Sequence, residues 1–150
     1  MEMRLKEAGK YLICLIILSI LIFAREYFSR QYLEYHYRFV VDKMVYYEVL
    51  CLLSSVSIGL ILGLKPYLRE YKLPGRWKVD VLKLLILGIP SFYFSILILL
   101  FNTRNALIFK LIEIPLYFTS YSLEYVTIFQ IIFGYLIATS FYKVSNISSE

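Results

Sequence analysis

Apolar and charged positions fall along this chain in blocks. Four stretches carry no Asp, Glu, Lys or Arg: residues 11–24, 49–64, 84–103 and 125–142, which are 14, 16, 20 and 18 residues long. A bilayer core about 30 Å thick takes roughly 20 helical residues, with a range of about 17–25. The third and fourth stretches meet that length unaided. The first meets it if Lys10 and Arg25 carry their charges out to the interfaces on long aliphatic stems. The second meets it if residues 44–48 are included. The pattern predicts four helical spans, at approximately 8–27, 44–64, 83–103 and 124–143. The first stretch also has the basic start and short apolar run of a secretory signal peptide, with cleavage after Ala24. Ile22, where such sites prefer a small residue, argues for a retained anchor.

The segments between spans are not ordinary loops. Residues 25–43 carry Tyr27, Phe28, Tyr32, Tyr35, Tyr37 and Phe39, and residues 104–124 are richly apolar. Rings with an apolar body and a polar tip favour the headgroup layer. Residues 106–114 suit a short helix that Pro115 interrupts. It is too short to cross, so approximately 105–118 is expected to lie on the membrane or re-enter it. The predicted fold is an all-α membrane protein, a four-transmembrane-helix bundle with an aromatic, partly helical outer cap. It forms a single integral domain over 1–150.

Composition agrees: 60% of the 150 residues are apolar and 18% charged, with a mean hydropathy of +0.68. Soluble domains run about 45–50% apolar and about 25% charged. A disordered chain is excluded by the apolar content, and a disulfide scaffold by the two cysteines. Cys14 and Cys51 fall at different depths, which disfavours a bond between them. Alanine is confined to Ala8, Ala24, Ala106 and Ala138, while Ile, Lys, Tyr and Phe are plentiful. That bias suits an AT-rich bacterial genome. The net charge is +5, and its distribution predicts orientation. With the N-terminus inside, inner segments hold ten Lys and Arg and outer segments six. The positive-inside rule then places both ends on the cytoplasmic side of a plasma membrane. Six of the ten lie in residues 65–83, together with the Pro74-Gly75 turn signal. There Trp77, Arg76 and Lys78 suit an anchor on an anionic leaflet. Nucleic-acid binding is not expected of so short a basic loop.

Candidate chemistry is sparse. Ser55, Gly59 and Gly63 recur every four residues and share one helix face; Gly134 and Ala138 do the same in the fourth span. Small residues let helices approach closely in lipid. These faces predict either a parallel contact between the second and fourth spans or a homodimer. Pro90 follows Gly88 and is a candidate kink or hinge, with Ser91 and Ser95 placed to take up freed carbonyls. Glu48 is the one carboxylate near a span interior. It either pairs with Lys43, Arg25 or Arg104, or it binds a substrate or proton. His36 has Glu26, Glu34 and Asp42 in its segment, but their spacing fits no metal site. No phosphate loop, nucleophile elbow or catalytic carboxylate pair is present. No catalytic residue, metal or cofactor is expected. The leading expectation is a non-enzymatic accessory or scaffold protein of the lipid bilayer, touching itself or another membrane protein. The alternative is an oligomeric transporter or binder of a small molecule or lipid. Its polar path would run through Glu48, Ser54, Ser55, Ser57 and Gln130.

Overall fold

The computed structural model describes residues 2–102, 105–118 and 123–144. The chain is mostly helical. Helix α1 spans Glu2–Tyr37 and α2 spans Val41–Tyr71. A strand β1, Arg76–Val79, leads into α3, Val81–Lys83. A π-helical turn follows at Leu84–Gly88, then α4 at Ile89–Ser95 and α5 at Leu97–Asn102. Helix α6 is Ala106–Phe118, α7 is Leu123–Thr139, and β2 is Phe141–Val144.

Two of these helices are long and apolar enough to cross a membrane: Tyr11–Tyr37 within α1, and α2. Val81–Ser95 and Glu124–Thr139 are shorter apolar helices. Helix α1 has 36 residues, about 54 Å at 1.5 Å per residue. It therefore runs straight through much of the expected aromatic cap. The helix ends where Val40 N–H donates to the Tyr35 carbonyl and Phe39 N–H to that of His36. This is a Schellman-type stop. Phe39 takes the left-handed conformation there, at φ 56°.

Helix α2 also outruns its expected end. It continues through Pro66 to Tyr71, so the start of the expected basic loop is helical. Pro66 removes one backbone hydrogen bond, and ring contacts beyond it hold the final turns. Tyr67 stacks on Trp77 at 5.5 Å and Tyr71 lies 6.3 Å from the same ring. After Pro74, Gly75 adopts φ 139°, a conformation that side chains disfavour. The chain then turns into β1, which pairs antiparallel with β2 in the register Arg76↔Val144 to Val79↔Phe141. Neither strand is expected from the sequence, and α7 accordingly stops at Thr139, short of the expected end at 143.

The third expected span, 83–103, is interrupted twice. The π turn precedes Pro90, and Ile96 leaves helical geometry at φ −102°, ψ 4°. Pro90 follows the π turn directly, inside the helical run Val81–Ser95, so its missing N–H falls at the wide turn. Ser95 donates to the Ser91 carbonyl at 2.6 Å.

Packing joins α1 to α2, α2 to α7, and α7 to α4. Contacts between α7 and α4 include Phe94 stacked on Phe129 at 4.5 Å and Phe92 against Phe133 at 5.2 Å. Asn105 caps α6 by accepting from Leu107 N–H at 2.9 Å. Helix α6 then folds back on α4 and α5: Phe101 meets Phe109, Leu97 meets Ile112, and the Tyr93 hydroxyl donates to the Leu111 carbonyl.

Candidate functional site

The tightest contact in the bundle joins α2 to α7, and glycines make it. A Cβ at Gly59 would run into the Ile131 carbonyl and come within 2.7 Å of Tyr135 N. One at Gly134 would run into the Val56 carbonyl. A Cβ at Gly63 would lie 2.6 Å from that of Ala138. Gly59 thus lies level with Gly134, and Gly63 with Ala138, so the two helices run in the same direction. Close approach of this kind lets backbone meet backbone, with no side chain between the two helices. Ser55 is fully buried and donates to the Cys51 carbonyl at 2.9 Å.

Two turns before Ser55 on α2, polar groups from four helices converge. Glu48 on α2 is 1% exposed. Arg25 on α1 is the cation acting on it. Arg25 does not point outward to an interface; its guanidinium crosses to α7 and donates to the Thr127 hydroxyl. The Arg25 carbonyl meets the Cys51 thiol at 4.0 Å. Tyr32, two helix turns further along α1, is buried within the field of Glu48 and beside the Asn102 side chain of α5. Among the described residues, the ion pairs are Arg30–Glu26, Arg38–Glu34 and Arg69–Glu70. Arg25 and Glu48 are therefore near but not in contact. Among the described residues, three buried polar atoms in this region find no hydrogen-bond partner: Arg25 Nε, Glu48 Oε2 and Asn102 Nδ2. Leaving such groups unpaired in an apolar interior costs about 1–3 kcal/mol each, and more when charged.

The cluster borders a cavity of about 390 Å³ lined by His36, Phe39, Val41, Met44, Phe101, Asn102 and Phe109. Asn102 belongs to both. Met44 lies one α2 turn from Glu48, and His36 stacks on Tyr32 at 5.9 Å. The cavity is walled by aromatic and aliphatic groups and ends on the polar cluster.

Several expected site residues lie elsewhere. Lys43 turns to Tyr35, 4.8 Å above its ring, not to Glu48. Arg104 falls outside the described residues. The hydroxyls of Ser54 and Ser57, like that of Ser55, donate to carbonyls four residues back on α2. Gln130 ties α7 to α4 through the Ser95 carbonyl at 3.1 Å. Pro90 is remote from the cluster and exposed. Among the described residues, no three His, Cys, Asp or Glu side chains come together as metal ligands would.

Arg25 could be named in advance only as one of several cations within reach of Glu48. Thr127, Asn102 and Tyr32 carried no signal, because their meeting depends on long-range packing. The chain matches no protein-family model, no curated protein and no solved structure.

Proposed function

We propose that this chain is a polytopic protein of a bacterial plasma membrane that acts by binding, not by catalysis. Four spans, formed by α1, α2, the α3–α5 segment and α7, carry a buried site at Glu48 for a small polar or lipid-derived ligand. The basic end of the bundle, with both chain ends, faces the cytoplasm. The observation that carries the binding reading is the Glu48 carboxyl, held in the bundle with Oε2 unpartnered. An ionisable group in a span is costly to keep and is a functional hypothesis by default. The neighbouring cavity supplies space, and Asn102 supplies a link.

The test is purification in native lipid discs followed by mass spectrometry of what accompanies the protein. A small molecule retained by the wild type and lost from Glu48→Gln supports the reading. Identical small-molecule content in both proteins sinks it.

A second reading, the accessory protein, is favoured by α1. Its apolar window is only 6% buried within the chain, and Leu12, Ile16, Ile20 and Phe23 are exposed. The Gly59 and Gly134 faces are spent between α2 and α7, so a partner or a second copy would meet α1 instead. A stoichiometric second protein in the same discs, released by Ile16→Asn with Ile20→Asn, supports this reading against the first.

A further inference from the structure

The β1–β2 ribbon has two unlike faces. Strand alternation puts Trp77 and Val79 on one side, opposite Lys143 and Phe141, and Arg76 and Lys78 on the other, opposite Val144 and Tyr142. The Trp77 side packs on the end of α2. Trp77 stacks on Tyr67. Lys143 Nζ lies 5.0 Å over the Trp77 ring and 5.4 Å over that of Tyr71. The same ammonium donates to the Tyr71 and Leu73 carbonyls at 2.9 and 2.8 Å. Lys143 is therefore a structural cation. So is Lys83, which donates to the Thr139 carbonyl and hydroxyl.

Arg76 and Lys78 have no such duty. Both are exposed, and their side chains make no hydrogen bond or ion pair among the described residues. They stand two strand residues apart, about 7 Å, with Tyr142 across from Lys78. Among the described residues the nearby acids are engaged: Glu70 accepts from Lys143 N–H and pairs with Arg69, and Asp80 caps α3 through Lys83 N–H at 3.0 Å. Immediately after β1 comes an exposed apolar helix surface, with Val81, Leu82, Leu85 and Ile86 outward. Two cations without a partner among the described residues, and a phenol, at the foot of an apolar helix match the layering of a phospholipid. Acyl chains would lie along the helix, and a phosphate would sit at the ribbon. A guanidinium grips phosphate oxygens in a fork, and an ammonium adds a point charge.

We propose that the outward ribbon face of Arg76, Lys78 and Tyr142 binds the phosphate of an anionic phospholipid. The proposal rests on the membrane reading above, but not on the Glu48 site.

The test uses the full chain in discs of equal phosphatidylcholine and phosphatidylglycerol. Lipids retained after extraction into detergent are counted by native mass spectrometry. The wild type is expected to retain phosphatidylglycerol selectively. Arg76→Gln with Lys78→Gln is expected to lower that retention about fivefold per cation removed. Tyr142→Phe should lower it less. Arg30→Gln with Arg38→Gln, far along α1, should leave it unchanged. Trp77 is the single tryptophan, so its emission reports whether the ribbon remains docked in each variant. Equal retention of both lipids by a wild type with native Trp77 emission overturns the proposal. So does inorganic phosphate binding the ribbon without phosphatidylglycerol enrichment, since the ligand would then be the free ion. Release of the protein from membranes by alkaline carbonate would instead defeat the membrane reading itself.

Discussion

Glu48 and Arg25 lie 23 positions apart in the chain, yet each shapes the cost of burying the other. Removing one partner of a buried charge pair leaves the other uncompensated, which typically costs about 3–5 kcal/mol, whereas removing both is often tolerated. The two groups here are not in contact, so the lower part of that range applies. Arg25→Gln should destabilise the protein more than Glu48→Gln, because it strips Glu48 of its cation and Thr127 of its donor. The double variant should be more stable than Arg25→Gln alone, with a coupling of about 1 kcal/mol. Thermal unfolding of the four proteins in one detergent measures this, and strictly additive shifts would refute it. Phe39 supplies a second test. A left-handed residue with a side chain costs roughly 1–2 kcal/mol, and the Phe39 side chain is 80% exposed, so little packing is lost by deleting it. Phe39→Gly should raise the unfolding temperature, less the entropy glycine adds to the unfolded chain. A lower temperature would mean that the ring is needed at the cavity wall.

Whole helices depend on how closely their neighbours can approach. Gly59→Ala should cost about 1–3 kcal/mol, as overpacking does, because the new methyl meets α7 backbone that cannot swing aside. Gly9→Ala, with open space around it, should stabilise by up to about 1 kcal/mol through helix propensity. Chemical or thermal unfolding of both variants compares the two, and equal effects would argue against the close α2–α7 contact. The spacing of Gly59, Gly63, Gly134 and Ala138 made these helix faces legible from sequence, since small residues at four-residue intervals have one geometric meaning. The α1–α2 turn was not legible. Arg38, Phe39 and Val40 include none of the Gly, Pro, Asn or Asp residues that mark turns, and Phe39 bears the strain unaided. The ribbon was hidden for a different reason. Phe141-Tyr142-Lys143-Val144 continues an apolar run, and only its pairing with residues 76–79 makes it a strand. The helical stretch at 65–71 was obscured by Pro66, a residue that helix interiors disfavour.

For the molecule as a whole, the proposed threading puts the α1–α2 turn and the β1–β2 ribbon on opposite sides of the membrane. In a background of Cys14→Ser and Cys51→Ser, Arg38→Cys should react with a membrane-impermeant maleimide added to intact cells. Lys72→Cys should react only after the membrane is opened. The reverse result would invert the topology, and labelling of both in intact cells would refute the span count. The order of the elements has a further consequence, for synthesis. Helices α1 and α2 are neighbours in sequence and can pair as soon as both have left the ribosome. Helix α7, which lies against both α2 and α4, is translated only after them. Until it arrives, the Gly59 groove and the Glu48 carboxyl have no cover from that side, and β1 has no strand to join. A chain stalled before residue 123 would therefore leave that polar, grooved surface of α2 uncovered. Under the proposed threading, quality control in the membrane would meet that surface on the unfinished protein and no longer on the completed bundle.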